Sequence, residues 1–238
     1  MPPDDADAAA SRRAVVRDSI GVGVATGLYG TSFGAVSVAA GLSIAQTCAL
    51  SLLMFTGASQ FALVGVLAAG GNPLSASLTA LLLGSRNTLY GLRVAPLLGW
   101  PGVRRVAAAH LLIDESTAMS VSRPTRELAR VGFLATGGSV FVLWNAFTLV
   151  GAVAGEALGD PRAYGLDAAV GAAFLALLWP RLADRRNQVV AVAAVAVALG
   201  LVPVTAAGVP VLAAAGVALL AGLLSRRPEP TEVPGAPR

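Results

Sequence analysis

The chain is 238 residues long, 55% hydrophobic and only 13% charged, and all 17 of its basic residues are arginine. The absence of lysine excludes a Walker A phosphate loop and Schiff-base chemistry. A single cysteine and a single histidine cannot build a His/Cys metal cage or an internal disulfide, and we expect no metal and no cofactor. The net charge of +4 does not indicate nucleic-acid binding, because the arginines lie in short clusters between apolar runs.

The region between Asp18 and Arg86 indicates a membrane protein, because its 67 residues include no charged side chain and no histidine. As a helix this run would extend about 100 Å, whereas the apolar core of a bilayer is about 30 Å thick. The sequence therefore predicts an all-helical, polytopic membrane protein with about seven to eight transmembrane segments, including broken or re-entrant helices.

Apolar runs separated by proline, glycine or arginine define eight candidate segments. Their approximate bounds are 19–42, 45–70, 73–98, 106–122, 131–155, 164–180, 187–203 and 209–225. Together they make up a predicted transmembrane permease domain, 15–225. The polar tails at 1–14 and 226–238 are predicted to be disordered and cytoplasmic.

Four arginine clusters predict the orientation of the segments, since cytoplasmic loops are enriched in arginine. One cluster precedes the first segment, and the others follow the fourth, sixth and eighth segments. If every segment crosses, all four clusters lie on one side, which predicts that both termini are cytoplasmic. The pair Arg104 and Arg105 is the exception, because it would lie outside unless segments 3 and 4 are re-entrant or interfacial.

Glycines spaced four apart mark the first segment, at Gly23 and Gly27 and again at Gly30 and Gly34. Small residues at this spacing let two helices approach closely in lipid, so we interpret them first as a helix-packing surface. The alternative is a helix that unwinds near residues 26–30 and offers its amide groups to a ligand carboxylate.

Polar side chains in the second segment are candidates for a substrate site. Thr56 and Gln60 are four residues apart and share a helix face, with Ser59 adjacent. A glutamine in lipid needs partners for both its carbonyl and its amide group. The patch therefore serves either hydrogen bonding between helices or contact with a substrate.

Charged side chains in segments 3 and 4 are the second candidate part of the site. Arg86 is followed by Asn87 and lies one turn before Tyr90. An arginine inside a membrane needs a counter-charge, and Asp114 and Glu115, in the middle of segment 4, are the acidic residues at comparable depth. We expect one of them to pair with Arg86, either as a structural salt bridge or as part of a group that shares a proton.

The cost of leaving polar groups in lipid predicts that the side chains of both segments converge on one polar cavity near the membrane midplane. The residues expected there are Thr56, Ser59, Gln60, Arg86, Asn87 and Tyr90.

These motifs resemble the AzlC family of bacterial branched-chain amino acid permeases. The resemblance rests on Gly57-Ala58-Ser59-Gln60-Phe61, on the Arg86 motif that ends in Leu89-Tyr90-Gly91, and on Asp114-Glu115. The chain departs from the family in having Asn87 where histidine is usual, and glycines where the first segment usually has prolines.

The resemblance implies a secondary transporter subunit, not an enzyme, in the bacterial cytoplasmic membrane. It implies export of branched-chain or related small neutral amino acids, proton coupling and a small AzlD-like membrane partner. Substrate-binding residues are then Thr56, Gly57, Ser59, Gln60, Arg86, Asn87 and Tyr90, with Asp114 and Glu115 as the ion-pair or proton-coupling groups.

Two other functions remain open from the sequence. Ser59 and His110 are the nucleophile and base that an intramembrane hydrolase would use, although Gln60 stands where a rhomboid-type motif has glycine. The other alternative is a membrane assembly subunit that transports nothing.

Overall fold

The structure, a computed structural model of the chain, describes residues 5–158, 175, 178–206 and 208–224. All regular elements in these residues are helical, as the sequence predicts. The chain divides into two compact units, Met1–Leu175 and Ala176–Arg238. Most of the sixth candidate segment and the predicted tail at 226–238 lie outside the described residues.

The described part of the first unit contains eight α-helices. In chain order they are α1 (Asp5–Ala39), α2 (Ile44–Leu53), α3 (Gly57–Ala68), α4 (Pro73–Gly84), α5 (Arg86–Leu98), α6 (Gly102–His110), α7 (Asp114–Val121) and α8 (Arg126–Ala157). The second, third and fourth candidate segments are each divided into two helices, which confirms the prediction of broken helices.

Residues 5–14 are helical, where the sequence predicts a disordered tail. The run from Ala6 to Ala14 is rich in alanine and arginine, which favour helix. An aspartate near the start of a helix also interacts favourably with the helix dipole. This part of the tail prediction is therefore wrong.

The long helices α1 and α8 are the two described helices that are long and apolar enough to cross a membrane, by length and composition. They lie side by side and run in the same direction. Near their beginnings, Thr136 Oγ1 donates to Ser19 Oγ at 2.9 Å. Near their ends, a Cβ atom placed on Gly155 would lie 3.0 Å from Ala35 Cα.

Glycines let the backbones of α1 and α8 approach closely. A Cβ atom on Gly30 would lie 2.6 Å from the Trp144 carbonyl oxygen. A Cβ atom on Gly151 would overlap the backbone of Thr31. These contacts confirm the helix-packing interpretation of the glycines in the first segment. The alternative is wrong, because α1 continues as helix through residues 26–30.

A single methyl group at Gly151 should therefore destabilise the fold. We expect Gly151→Ala to reduce membrane abundance and the thermal unfolding midpoint, since overpacking a close contact costs about 1–3 kcal/mol. The matched control is Gly138→Ala in the same helix, because a Cβ atom there has no neighbour within 4 Å. Thermal unfolding of both purified variants is the measurement, and equal stability would contradict the close contact.

The helices α4 and α5 continue in one direction with only a local interruption. Ser85, which joins them, has φ −57° and ψ −25° and so keeps the right-handed helical conformation. At the far end of α5, Arg130 Nε donates to the Leu98 carbonyl at 2.7 Å. Because α5 ends beside the start of α8, α4 begins toward the opposite end of the unit.

The helices α6 and α7 form a hairpin that turns at residues 111–113. α6 begins just after α5, and thus beside the start of α8, and its last residue, His110, contacts Phe141 with ring centroids 5.5 Å apart. α7 then returns toward the start of α8, where the Met119 carbonyl oxygen lies 3.1 Å from a Cβ atom built on Gly132. Both ends of this inner hairpin, α6–α7, therefore lie at the end of the unit where α8 begins.

The helices α2 and α3 form a second hairpin, which turns at residues 54–56 and approaches from the opposite end. α2 runs antiparallel to α8, since Ser51 Oγ donates to Thr148 Oγ1 at 3.4 Å and Phe55 contacts Phe141 at 5.1 Å. α3 leads back, because a short loop joins it to α4, which begins at the end where α2 began. We call this pair, α2–α3, the outer hairpin.

The tips of the two hairpins meet beside the middle of α8. Phe55 at the outer tip and His110 at the inner tip have ring centroids 6.2 Å apart, and both contact Phe141. Ile113 of the inner tip joins Phe55 in one buried apolar cluster. The first unit therefore brings two chain reversals and the α4–α5 interruption toward its centre.

This arrangement accounts for the arginines that the sequence analysis leaves as an exception. Arg104 and Arg105 lie in the first turns of α6, at the end of the unit where Arg130 binds Leu98. They share that end with the arginine cluster that precedes α8. Segments 2 and 4 fold back as hairpins, whereas segment 3 continues through its interruption. Of the two segments for which the sequence analysis offers a re-entrant or interfacial position, segment 4 therefore folds back and segment 3 does not.

The described part of the second unit contains a short 3-10 helix (Trp179–Ala183), α9 (Arg185–Leu201) and α10 (Val209–Leu224). Asp184 caps α9 by accepting a hydrogen bond from the backbone N–H of Arg186 at 2.8 Å. Arg186 Nη2 donates to the Ala221 carbonyl at 3.3 Å. The start of α9 thus lies beside the end of α10, so the two helices are antiparallel.

Candidate functional site

The centre of the candidate site is an ion pair between α5 and the inner hairpin. Arg86 Nη1 lies 3.2 Å from Asp114 Oδ2, and the two side chains are 30% and 40% exposed. The sequence predicts that Arg86 pairs with Asp114 or Glu115, and the structure selects Asp114. Arg86 begins α5, directly after the interruption at Ser85.

The sequence analysis expects Asp114 and Glu115 in the middle of a helical segment, and the structure places them elsewhere. They form the first turn of α7, directly after the reversal of the inner hairpin. Carboxylates are favourable at this position because the first N–H groups of a helix have no intrahelical partner and carry partial positive charge. The break thus gives the two carboxylates a favourable position at the start of a helix.

Glu115 has a different partner from Asp114. Thr26 Oγ1 of α1 donates to Glu115 Oε1 at 3.5 Å. Among the described residues, Glu115 forms no ion pair. The sequence analysis does not connect Thr26 with Glu115, because the residues are far apart in the chain and no pattern joins them.

Asn87 contacts the turn of the inner hairpin. Its Nδ2 donates to the Leu112 carbonyl at 3.2 Å. Since a carbonyl can only accept, this contact assigns the orientation of the amide group. The Asn87 Oδ1 atom is buried and has no hydrogen-bond partner in the described structure.

The polar residues of segment 2 gather at the tip of the outer hairpin. Thr56 and Ser59 share a hydrogen bond of 3.2 Å between their hydroxyl oxygens. Gln60 Nε2 donates to the Leu50 carbonyl at 3.2 Å and so connects α3 to the end of α2. The Gln60 side chain is 0% exposed, and its Oε1 has no hydrogen-bond partner among the described residues.

Gly57 lies against the indole of Trp144, since a Cβ atom there would be 3.3 Å from the ring. Trp144 is 3% exposed and packs among Tyr29, Phe33 and Phe61. At Gly57 the structure thus shows helix packing. A role in substrate binding at this residue stays a prediction.

The predicted site residues fall into two neighbouring groups. The outer tip carries Thr56, Ser59 and Gln60, and the inner tip is in contact with Arg86 and Asn87. The end of α4 lies between the two groups. A Cβ atom on Gly84 would lie 3.2 Å from Ser59 Oγ of the outer tip, and Gly84 is only two residues before Arg86.

Tyr90 is half-buried, and within the described residues no hydrogen bond joins it to the other predicted site residues. A single polar cavity lined by all six residues stays a prediction.

Ser59 and His110, the pair that a hydrolase would use, have different partners in the structure. Ser59 Oγ is hydrogen-bonded to Thr56, whereas His110 packs against the rings of Phe55 and Phe141. The turn of the inner hairpin separates His110, the last residue of α6, from Asp114, the first residue of α7.

Several buried polar atoms at the ion pair have no hydrogen-bond partner within the described part of the chain. They are Arg86 Nε, Asn87 Oδ1 and Asp114 Oδ1. An unsatisfied buried polar group costs about 1–3 kcal/mol. One donor and two acceptors in adjacent positions can bind a small polar ligand or ordered water.

Comparison with known proteins places most of the first unit in one family. The family model described as "AzlC protein" matches residues 21–158, which include both hairpins and the ion pair. The chain is 34% identical over 190 residues to an "Uncharacterized membrane protein" of Archaeoglobus fulgidus, across 78% of this chain and 83% of that protein. It is 28% identical over 226 residues to "Inner membrane protein YgaZ" of Escherichia coli K12, across 90% of each.

No solved structure matches the chain significantly. The family is a transporter-type membrane family, which is consistent with a transporter-related role and with a protein that is not an enzyme. The extent of the family match and the identity to the Archaeoglobus fulgidus protein lead to one conclusion. The chain belongs to the AzlC family of membrane proteins.

Proposed function

We propose that the chain is a secondary transporter subunit that exports branched-chain or related small neutral amino acids across the cytoplasmic membrane. The observation that carries the proposal is the Arg86–Asp114 ion pair at the point where α5 meets the inner hairpin. Charged residues inside a membrane are costly and mark substrate or ion pathways. Broken helices near the midplane supply the binding sites of many secondary transporters.

The two hairpins support a mechanism of alternating access. The outer hairpin reaches the middle of α8 from one end of the unit, and the inner hairpin reaches it from the other. Displacing either tip would open the Arg86–Asp114 region toward one side of the membrane only. Transport then requires that the two tips open in turn, with α1 and α8 as the stable frame.

Proton coupling is assigned to Glu115. Asp114 is held by Arg86, whereas Glu115 accepts one hydrogen bond from Thr26. Glu115 can therefore gain and lose a proton while the Arg86–Asp114 pair stays formed. Its contact with α1 connects the protonation state to the position of the inner hairpin against the frame.

The proposed orientation places the starts of α1 and α8 in the cytoplasm. Cytoplasmic loops are enriched in arginine, and Arg104 and Arg105 lie at the end where α8 begins. The protein is then multi-pass with both termini inside. A small AzlD-like membrane subunit is the proposed partner.

Flux measurements in proteoliposomes test the proposal, with the chain reconstituted together with its small partner. We expect a pH gradient to drive accumulation of leucine or valine. Glu115→Gln should abolish this accumulation but retain exchange of leucine across the membrane, because the substrate site remains.

The matched control for this experiment is Glu156→Gln, which makes the same change at an exposed residue of α8. We expect it to retain gradient-driven accumulation. If wild-type liposomes move no branched-chain amino acid, the proposed function is wrong. If proteoliposomes with the Glu115→Gln protein still accumulate leucine or valine when a pH gradient is applied, the assignment of proton coupling to Glu115 is wrong.

A further inference from the structure

We propose that Arg86, Asn87 and Asp114 together bind the charged α-ammonium and α-carboxylate groups that all amino acids share. This inference rests on the proposed function and deepens it, because it states which part of the substrate the ion-pair site recognises. The selected ligand class is a free amino acid in its zwitterionic form. Amines, carboxylic acids and amides of the same shape are excluded.

The argument begins with the atoms that the ion pair leaves unused. Arg86 contacts Asp114 through Nη1, and its Nε is buried without a partner in the described structure. The Nε edge of a guanidinium can donate to a carboxylate, and such charge-assisted bonds are short and strong. A substrate carboxylate can therefore bind Arg86 while the bond to Asp114 persists.

The acceptors beside Arg86 match an ammonium group. Asp114 uses Oδ2 for the ion pair, and the described residues provide no hydrogen-bond partner for its Oδ1. Asn87 uses its amide nitrogen for the Leu112 carbonyl, which leaves Oδ1 as a neutral acceptor. A primary ammonium has three N–H donors, and these two oxygens can accept two of them.

The charge of the site supports a zwitterion over a singly charged ligand. Arg86 and Asp114 carry one positive and one negative charge, so a ligand with one charge of each sign leaves the site balanced. An α-keto acid would leave the two acceptors unsatisfied, and an amine would leave the Arg86 donor unsatisfied. Each loss leaves a buried polar group without its partner, and sites of this kind reject such ligands strongly.

The apolar part of the ligand has an adjacent surface. Leu112 and Ile113 precede Asp114 at the hairpin turn, and Ile113 packs in the cluster that contains Phe55. A branched aliphatic side chain would lie against Leu112, which is half-buried, because Ile113 is itself buried in that cluster. The polar and apolar parts of the substrate would therefore contact neighbouring residues of the same turn.

The test is competition in leucine exchange, measured in proteoliposomes that contain the full chain and its small partner. The competitors are unlabelled leucine, the α-keto acid of leucine, isoamylamine and leucinamide, each against radiolabelled leucine. We expect each of the three analogues to compete at least about a hundredfold more weakly than leucine. Inhibition by the α-keto acid or by isoamylamine as strong as that by leucine would overturn the inference and leave the proposed function standing.

A variant pair separates recognition from structural support. Asn87→Ala should raise the half-saturating leucine concentration about tenfold, and it should reduce the discrimination between leucine and its α-keto acid, because an acceptor for the ammonium is lost. The control is Asn145→Ala in α8, where Nδ2 donates to the Phe141 carbonyl and Oδ1 also has no hydrogen-bond partner in the described structure. Asn145→Ala should change neither the half-saturating leucine concentration nor the discrimination between leucine and its α-keto acid.

Equal loss of discrimination in both asparagine variants would overturn the inference. Absence of exchange for leucine, isoleucine and valine in the wild type would overturn the proposed function itself, and this inference with it.

Discussion

Cysteines placed at the two ends of one hairpin should react with a membrane-impermeant maleimide from the same side of the membrane. For the outer hairpin the positions are Ala45, in the first turn of α2, and Ala69, directly after α3. For the inner hairpin they are Val103, in the first turn of α6, and Ser122, directly after α7. All four positions are exposed, and the changes are small.

The expected result is that cysteines at Ala45 and Ala69 react in intact cells. Those at Val103 and Ser122 should react only after permeabilisation, because the arginine-rich end is proposed to be cytoplasmic. Cys48 is the only native cysteine, so the experiment uses a Cys48→Ser background. That parent protein without an added cysteine is the control for labelling.

Eight crossing segments would produce the opposite pattern. Ala45 and Ala69 would then lie at the two ends of one spanning helix and would react from different sides, and so would Val103 and Ser122. At each pair of positions, the hairpin predicts labelling from one side of the membrane, whereas a spanning helix predicts labelling from two sides. Labelling of either pair from opposite sides would disprove the corresponding hairpin.

Hydropathy identifies segments 2 and 4 as membrane segments, but it cannot show that they fold back. A spanning helix of about 20 residues and a hairpin of two shorter helices have the same apolar composition. The turns at residues 54–56 and 111–113 contain neither glycine nor proline, so the usual helix-breaking residues are absent. The sequence analysis therefore treats segment 2 as continuous, and it offers re-entry of segment 4 only because of the position of Arg104 and Arg105.

Contacts made by side chains stabilise these turns after the fold has formed. At the inner turn, Ser116 Oγ donates to the Leu111 carbonyl at 2.7 Å and accepts from the Ile113 N–H at 3.0 Å. At the outer turn, Gln60 binds the Leu50 carbonyl. These bonds replace backbone hydrogen bonds that the breaks remove, and a pattern of residue types along the chain does not predict them.

Other features follow from the sequence because they do not depend on where the chain turns. Glycines spaced four apart form a small-residue surface on any continuous helix, and they pack against α8. An arginine in the membrane interior needs a counter-charge in any fold, which is why an ion pair between Arg86 and one of the two neighbouring acidic residues, Asp114 or Glu115, is predicted correctly. The choice of Asp114 over Glu115 depends on the hairpin and requires the structure.

Neutralising both members of the Arg86–Asp114 pair should recover membrane abundance without recovering export. Arg86→Gln alone or Asp114→Asn alone leaves one charge without its partner. For a fully buried pair this costs about 3–5 kcal/mol. The cost should be smaller here, because the two side chains are 30% and 40% exposed. We therefore expect lower abundance for each single variant and near-wild-type abundance for the double variant.

Export should respond differently, because in the proposed function the charges themselves bind the substrate. The double variant has no guanidinium for a substrate carboxylate and no carboxylate for an ammonium group. We expect leucine and valine release from cells that contain it to remain at the level of cells without the protein. Each single variant should also fail to export, since each lacks one of the two groups.

The measurement is a double-mutant cycle scored once for membrane abundance and once for release of leucine or valine per molecule of protein. A matched control is the exposed pair Arg17–Asp18, whose side chains are 82% and 45% exposed at an ion-pair distance of 3.5 Å. Exposed pairs contribute about 0–1 kcal/mol, so Arg17→Gln and Asp18→Asn, alone or together, should change neither readout. Full export by the double variant at Arg86 and Asp114 would show that this pair only supports the fold, and the substrate site would then have to lie elsewhere in the protein.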